Sequence, residues 1–304
     1  MKKYLPAIKQ SSELGLSKAN ALLEAANKIL TKQSTDLVDD SWVYRLWRWA
    51  DDNDISSLHL PRNMKELVDM TSLYLWLGNT KFIPKEIGKL INLKKLFVRS
   101  DRKSVRFPRE ICQLLNLVEL SLWMPNGRRI PKEVFSLTGL KELDLKFFKV
   151  TKLPREIGDL MNLRSLTVYA TNLKKLPKEI WGLVNLLKLN VEDSALTSLP
   201  SDLDKLANLK ILRIYRGNLE FLPSEICSLS NLVELDLEGN NLKELPTDLV
   251  NLEALKILRI WNIHAKIAGA QCNWQLNLTV EQDQWIESNQ LRTGKRYRFS
   301  HLML

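Results

Sequence analysis

The sequence predicts an α/β fold: a solenoid with a curved parallel β-sheet on its concave face and helical caps at both ends. Three observations predict it. Nine prolines, Pro61, Pro84, Pro108, Pro131, Pro154, Pro177, Pro200, Pro223 and Pro246, fall at intervals of 23 residues, except for one interval of 24. Around each lies the same frame of aliphatic residues, clearest in "LVELDLEGNNLKELPTDLVNL" (232–252). Short "LxL" alternations also recur upstream of each proline. A fixed period of this length marks a stacked repeat architecture.

Each part of the frame has a physical reading. In "LxL" one side chain points in and the next out, as in a strand. "PxxIxxLxxL" repeats every third residue, which suits a short 3₁₀-like stretch. Proline fits the start of such a turn, where its fixed φ is useful and its missing N–H costs nothing. One unit cannot bury its own apolar side, so neighbours stack and share a continuous core.

"LPREIGDLMNLRSLTV" and "LPKEIWGLVNLLKLNV" carry a resemblance. They are similar to the leucine-rich repeats, in the 23-residue LPxxI class found in Scribble, plant Ras-group repeat proteins and many bacterial proteins. The resemblance covers residues 55–262. It implies a binding scaffold and leaves the partner open. The chain departs from the family's frame at the asparagine after the second strand leucine: only Asn240 fits. Gly78, Asp101, Pro125, Phe148, Thr171, Ser194 and Gly217 stand there elsewhere. Asp, Thr and Ser are expected to do part of that work, and irregular turns are expected near 101–106 and 124–129. A second asparagine, in "NL" before the strand (Asn92, Asn116, Asn162, Asn185, Asn208, Asn231), is read as a turn former.

The domain boundaries expected are a helical N-terminal segment and cap (1–54), a solenoid of about nine repeats (55–264) and a C-terminal cap (265–304). "SKANALLEAANKIL" (17–30) and "DDSWVYRLWRWADDND" (39–54) read as helices, the second with Trp42, Leu46 and Trp49 near one face and Trp47 widening it. "LTVEQDQWIESNQLRTG" (278–294) reads as a capped helix. The last ten residues have no assigned structure.

The frame also sorts the outward strand residues into columns. Between the two leucines stand Tyr74, Phe97, Ser121, Asp144, Thr167, Asn190, Arg213, Asp236 and Arg259. Just after the second stand Trp76, Arg99, Trp123, Lys146, Tyr169, Glu192, Tyr215, Glu238 and Trp261. In this second column an aromatic alternates with a charge, basic early and acidic late. Either the aromatics clasp the intervening Arg and Lys stems, or they form a contact surface, since Trp, Tyr and Arg dominate interface hot spots. The residues expected to bind a partner are Tyr74, Trp76, Phe97, Arg99, Trp123, Lys146, Tyr169, Glu192, Arg213, Tyr215, Glu238, Arg259 and Trp261.

Composition narrows the function classes. The chain of 304 residues is 45% hydrophobic and 26% charged, with a net charge of +10. That charge is uneven: residues 76–155 carry 18 basic and 7 acidic side chains, and residues 192–255 carry 5 and 12. No run of about 18 apolar residues predicts a membrane span, and the N-terminal stretch lacks the apolar core of a secretory signal. Three separated cysteines, Cys112, Cys227 and Cys272, form no CxxC pair and fit a reducing compartment. Cys112 and Cys227 are expected as partly buried packing residues. His59, His264 and His301 have no metal-ligand or triad spacing with other residues, and no phosphate-binding loop occurs. No catalytic residue, metal or cofactor is assigned.

These features point to a non-enzymatic protein-recognition scaffold of the cytoplasm. The Lys-rich LPxxI frame suggests a bacterial chain, with export as an effector as a further reading. Two alternatives remain: an antiparallel homodimer pairing basic and acidic halves, and binding of phosphate-bearing ligands through the basic half, 76–155. The Lys-Glu and Arg-Glu steps at Lys85, Arg109, Lys132 and Arg155 argue against this last reading, for nucleic acid and lipid head groups alike.

Overall fold

The computed structural model describes residues 39–78, 80–260, 264–267 and 270–273. The helices expected at 17–30 and 278–294, the last ten residues and Trp261 lie outside the described residues. The chain divides into two compact units, Met1–Tyr44 and Arg45–Leu304. The solenoid belongs to the second.

Nine short strands form one parallel sheet in chain order: β1 (Ser72–Trp76), β2 (Lys95–Arg99), β3 (Glu119–Trp123), β4 (Glu142–Lys146), β5 (Ser165–Tyr169), β6 (Lys188–Glu192), β7 (Ile211–Tyr215), β8 (Glu234–Asp236) and β9 (Ile257–Arg259). Their register is the repeat period itself: Leu73 pairs with Leu96, then Leu120, Leu143, Leu166, Leu189, Leu212, Leu235 and Leu258. Both leucine positions of each strand are buried, and most residues between them stay partly exposed. One face of the sheet is therefore core and the other is open. Burying each Leu or Ile contributes on the order of 1.5–3 kcal/mol, and each repeat supplies several.

Behind the sheet, eight prolines from Pro84 to Pro246 each precede a five-residue 3₁₀ segment, from Lys85–Lys89 to Thr247–Asn251. The proline φ values lie between −56° and −79°. Each proline sits one residue before the segment, and its carbonyl accepts the first turn's hydrogen bond, as from Ile87 N at 3.2 Å. Packing between these segments is close: a Cβ on Gly88 would stand 2.3 Å from the Glu110 carbonyl oxygen. Pro61 is different. It leads into an α-helix, α2 (Met64–Asp69), capped by Asn63, whose Oδ1 accepts from Glu66 N at 3.1 Å.

The helix expected at 39–54 is α1 (Ser41–Asp52). Leu46, Trp49 and Ala50 are buried, while Trp42 is only half-buried. Trp47 donates to the Pro61 carbonyl at 2.8 Å. Arg45 pairs with the buried Glu86 at 2.7 Å, and Arg62 with Asp51 at 2.6 Å. These bonds fasten the helix to the first repeats. Beyond β9 the chain enters a separate antiparallel pair, β10 (His264–Ile267) and β11 (Ala270–Asn273).

The "NL" asparagines do more than form turns. Asn92, Asn116, Asn162, Asn185, Asn208 and Asn231 each donate Nδ2 to a backbone carbonyl of the preceding repeat, at 2.8–3.0 Å. They staple each turn to its neighbour. Asn240 works as the family frame implies: it is buried, accepts from Leu219 N at 3.1 Å and donates to Leu237 O at 2.8 Å. Elsewhere that work is divided. Ser100, one residue before Asp101, donates to Leu77 O at 3.2 Å, and Thr171 bonds to Phe148 O. In the turns expected to be irregular, Asn126 donates to Asp101 O at 2.9 Å.

The last repeats leave their strands differently. Asp193, Arg216 and Gly239 occupy equivalent places 23 residues apart and have φ of 48°, 52° and 69°. The corresponding Leu77, Ser100, Met124, Phe147 and Ala170 are buried instead. Glycine takes this left-handed conformation freely, but arginine does so only at a cost.

The staple predicts additive losses. Asn92→Ala and Asn208→Ala lie five strands, about 24 Å, apart. Each should lower unfolding free energy by about 0.5–1.5 kcal/mol in urea denaturation, and the double variant should lose the sum. Losses near zero would show that the bonds do not hold the turns.

Candidate functional site

The open face is a lattice of three columns set by the sheet register. The two expected from the sequence are in place up to β7, where Trp76, Arg99, Trp123, Lys146, Tyr169, Glu192 and Tyr215 follow one another. Glu238 lies beyond the end of β8. The third column, which the leucine-anchored frame missed, starts each strand: Ser72, Lys95, Glu119, Glu142, Ser165, Lys188, Ile211, Glu234 and Ile257. Period-2 alternation places it on the same face.

The first four strands build an aromatic–cation ladder. The Arg99 guanidinium lies between two indoles, 5.2 Å from the Trp76 ring and 4.2 Å from that of Trp123. Lys146 Nζ stands 5.8 Å from Trp123 on the other side. Tyr74 and Phe97 meet at 6.0 Å in the neighbouring column. Trp76 and Trp123 do clasp Arg99, whereas Lys146 has an aromatic on one side only. The aromatics also stay open, because Trp76 is 62% and Tyr74 53% exposed. An open cleft of about 260 Å³ is lined by His59, Tyr74, Leu75, Trp76, Phe97, Arg99 and Trp123. His59, from the turn after α1, was not singled out in the sequence; it has no motif and is placed there only by the fold.

The ladder does not continue. Tyr169 turns to Phe148, with ring centroids 5.0 Å apart. A hydrogen bond to the Asp193 carboxylate, with burial, pushes its phenol up to about 12. Burial and a hydrogen bond to Glu192 push the Tyr215 phenol up to about 12 as well. Glu192 also lies 3.6 Å from Arg216.

The later strands hold a buried ion cluster. Arg213 grips Glu234 through two nitrogens, each 2.9 Å from an oxygen. Arg259 bonds to Glu234 from the other side and stands 3.5 Å from Asp236. The Glu234 side chain is 8% exposed. Burial pushes its carboxyl up, but Arg213 and Arg259 outweigh burial and hold it below the usual range. Its stabilising contribution is therefore present at neutral pH and is lost as pH falls through the folded-state pKa. Burial keeps the neighbouring Asp236 carboxyl raised. Arg213 and Arg259, expected as partner contacts, are thus committed within the chain.

Cys227 is half-buried, and burial pushes its thiol up to about 11. Cys112 is exposed rather than packed, although Phe135 and Trp181 at the same place of their 3₁₀ segments are buried. Among the described residues no group of three His, Cys, Asp or Glu side chains is placed to hold a metal. No helix among them is long and apolar enough to cross a membrane.

Comparison with known proteins adds a family likeness. A family model described as a leucine-rich repeat region matches residues 132–218. A search of curated proteins finds no match. Among solved structures, the plant peptide hormone receptor RGFR1, in complex with RGF2, is 31% identical, with a TM-score of 0.50. The match covers 66% of this chain and 33% of that one, so this chain spans about a third of the receptor's length. Internalin C2 of Listeria monocytogenes is 24% identical with a TM-score of 0.50, covering 68% of this chain and 84% of that one. A leucine-rich repeat protein of Leptospira interrogans is 25% identical, covering 68% and 76%, with a TM-score of 0.40.

The two halves of the open face should respond differently to substitution. Glu234→Ala leaves two half-buried guanidinium groups without their partner and should destabilise the chain by about 3 kcal/mol. Arg99→Ala, on the exposed ladder, should cost about 1 kcal/mol or less. Equal losses in thermal and urea denaturation would contradict this division.

Proposed function

We propose that this chain, a leucine-rich repeat protein by its repeat, its sheet and its likeness to solved structures, is a non-enzymatic recognition scaffold. Its partner docks on the open face of β1–β4. The observation that carries this is the exposed Trp76–Arg99–Trp123–Lys146 ladder beside an open aromatic cleft. Trp and Tyr offer large contact area with little rotamer freedom to lose. Arg99, held between two indoles, is a half-desolvated donor suited to a carboxylate, and Lys146 beside it shares its charge with Asp144.

The partner chemistry follows: an acidic segment with apolar side chains between its carboxylates. Opposite charge would steer its approach and fix its orientation more than set affinity. The later strands act as a rigid support, because their cations and carboxylates already satisfy one another. This narrows the expected site: Tyr74, Trp76, Phe97, Arg99, Trp123 and Lys146 make contact, while Arg213 and Arg259 hold the platform. The receptor RGFR1 was solved in complex with RGF2, which supports a binding role for repeats of this kind. A bacterial origin and delivery to a host remain part of the proposal; they bear on where the partner is met, not on the face that meets it.

Panning a random peptide-display library against the full chain tests this. Acidic peptides with interspersed apolar residues should be enriched, and Trp76→Ala with Arg99→Ala should remove the enrichment while circular dichroism stays unchanged. Enrichment of basic peptides, or an unchanged set from the variant, would overturn it.

A further inference from the structure

A second surface runs along the edge of the sheet where the strands begin. In each repeat the residue just before the "NL" asparagine sits in the turn leading to the strand. Ile91, Leu115, Met161 and Val184 occupy this place, exposed by 55%, 82%, 50% and 46%. The turn does not require them, since Ala207, Ser230 and Glu253 stand at the same place in later repeats. From Val68 to Ser230 this row carries no charge.

Three residues further along each turn runs a basic row. Lys94, Lys141, Arg164, Lys210 and Lys256 are all exposed. A continuous backbone ladder aligns them: Val118 N bonds to Lys94 O, Lys141 N to Val118 O, Arg164 N to Lys141 O, and so on to Lys256 N on Val233 O, at 2.8–2.9 Å. Their alternates are Val118, Leu187 and Val233, so neither is this charge dictated by the turn. None of the five makes an ion pair with a described residue, unlike Lys95, Lys146 or Lys205 nearby. The row stays basic through the half of the chain whose net charge is negative. No acid stands in it from Lys94 to Lys256.

We infer that this edge docks on an anionic lipid bilayer. Exposed aliphatic side chains alternating with unpaired cations match the boundary between acyl chains and negative headgroups. A protein partner fits less well, because interface cores are depleted in lysine and rely on Trp, Tyr and Arg, which the edge largely lacks. Nucleic acid would use the cations but has no use for exposed Leu115 and Met161. The edge and the aromatic ladder are separate surfaces, so a membrane-bound chain would still present its open face.

Co-sedimentation of the full chain with phosphatidylcholine vesicles, with and without about 30% phosphatidylserine, tests the inference. Binding should need the anionic lipid and weaken at least about tenfold from 0.1 to about 0.5 M salt. Lys94→Glu with Lys141→Glu and Arg164→Glu should abolish it. Leu115→Ser with Met161→Ser should weaken it about tenfold. The same charge change at Lys152, Lys174 and Lys175, beyond the other ends of the strands, should have a much smaller effect. Circular dichroism checks folding, and single substitutions at Lys94 and Arg164 replace the triple variant if it unfolds. Binding to neutral vesicles alike, indifference to the edge substitutions, or displacement of the vesicles by a short DNA duplex that binds more tightly would each overturn the inference.

Discussion

The stack of β1–β9 and its 3₁₀ segments depends on a register that cannot slip. One repeat buries its leucines only against the next, so the leucine of each strand must lie level with its equivalent 23 or 24 residues away. A one-residue shift would turn the whole inward set outward. Two devices hold this register: the parallel ladder of β1–β9 and the asparagines that reach back to the preceding turn. The prolines contribute a third constraint, fixing φ where every 3₁₀ segment begins. Because the core fixes the register, it also fixes the side-chain columns of the open face and of the sheet edge.

Those columns are put to different uses along the chain. In β1–β4 Arg99 lies between π-faces, which attract it but leave its donors available, while Lys95 and Lys146 pair with the part-exposed carboxylates of Glu119 and Asp144. In β7–β9 the cations find buried carboxylates, and both charges are largely spent. The uneven net charge seen along the sequence thus has two meanings. The basic excess is surface available for contact, whereas part of the acidic excess, Glu234 and Asp236, neutralises Arg213 and Arg259 inside the structure. Pairing an acidic half of one copy with a basic half of another therefore has less free charge to draw on than the residue counts imply.

The repeat made most of this legible. Periodicity located β1–β9, the eight 3₁₀ segments and the two leucine-flanked columns, because identical spacing imposes identical geometry; β10 and β11 lie outside the repeat and it did not locate them. What it missed was relational. Glu234 looked like any residue ahead of a leucine; only the register shows it between Arg213 and Arg259. The "NL" asparagines looked local because their acceptors are a full repeat away. The left-handed exits at Asp193, Arg216 and Gly239 did leave a signal, a change from mostly apolar residues to polar ones and glycine at one place in the frame. His59 left none, since its position in the cleft depends on how α1 meets the first strand.

The central claim is that the open face is divided into a contact half and a supporting half. Hydrogen–deuterium exchange of the full chain with a selected acidic peptide tests it most directly. The account predicts new protection in β1–β4, at residues 72–76, 95–99, 119–123 and 142–146, with β7–β9 unchanged. Protection centred on β7–β9, or on the 3₁₀ segments behind the sheet, would contradict it.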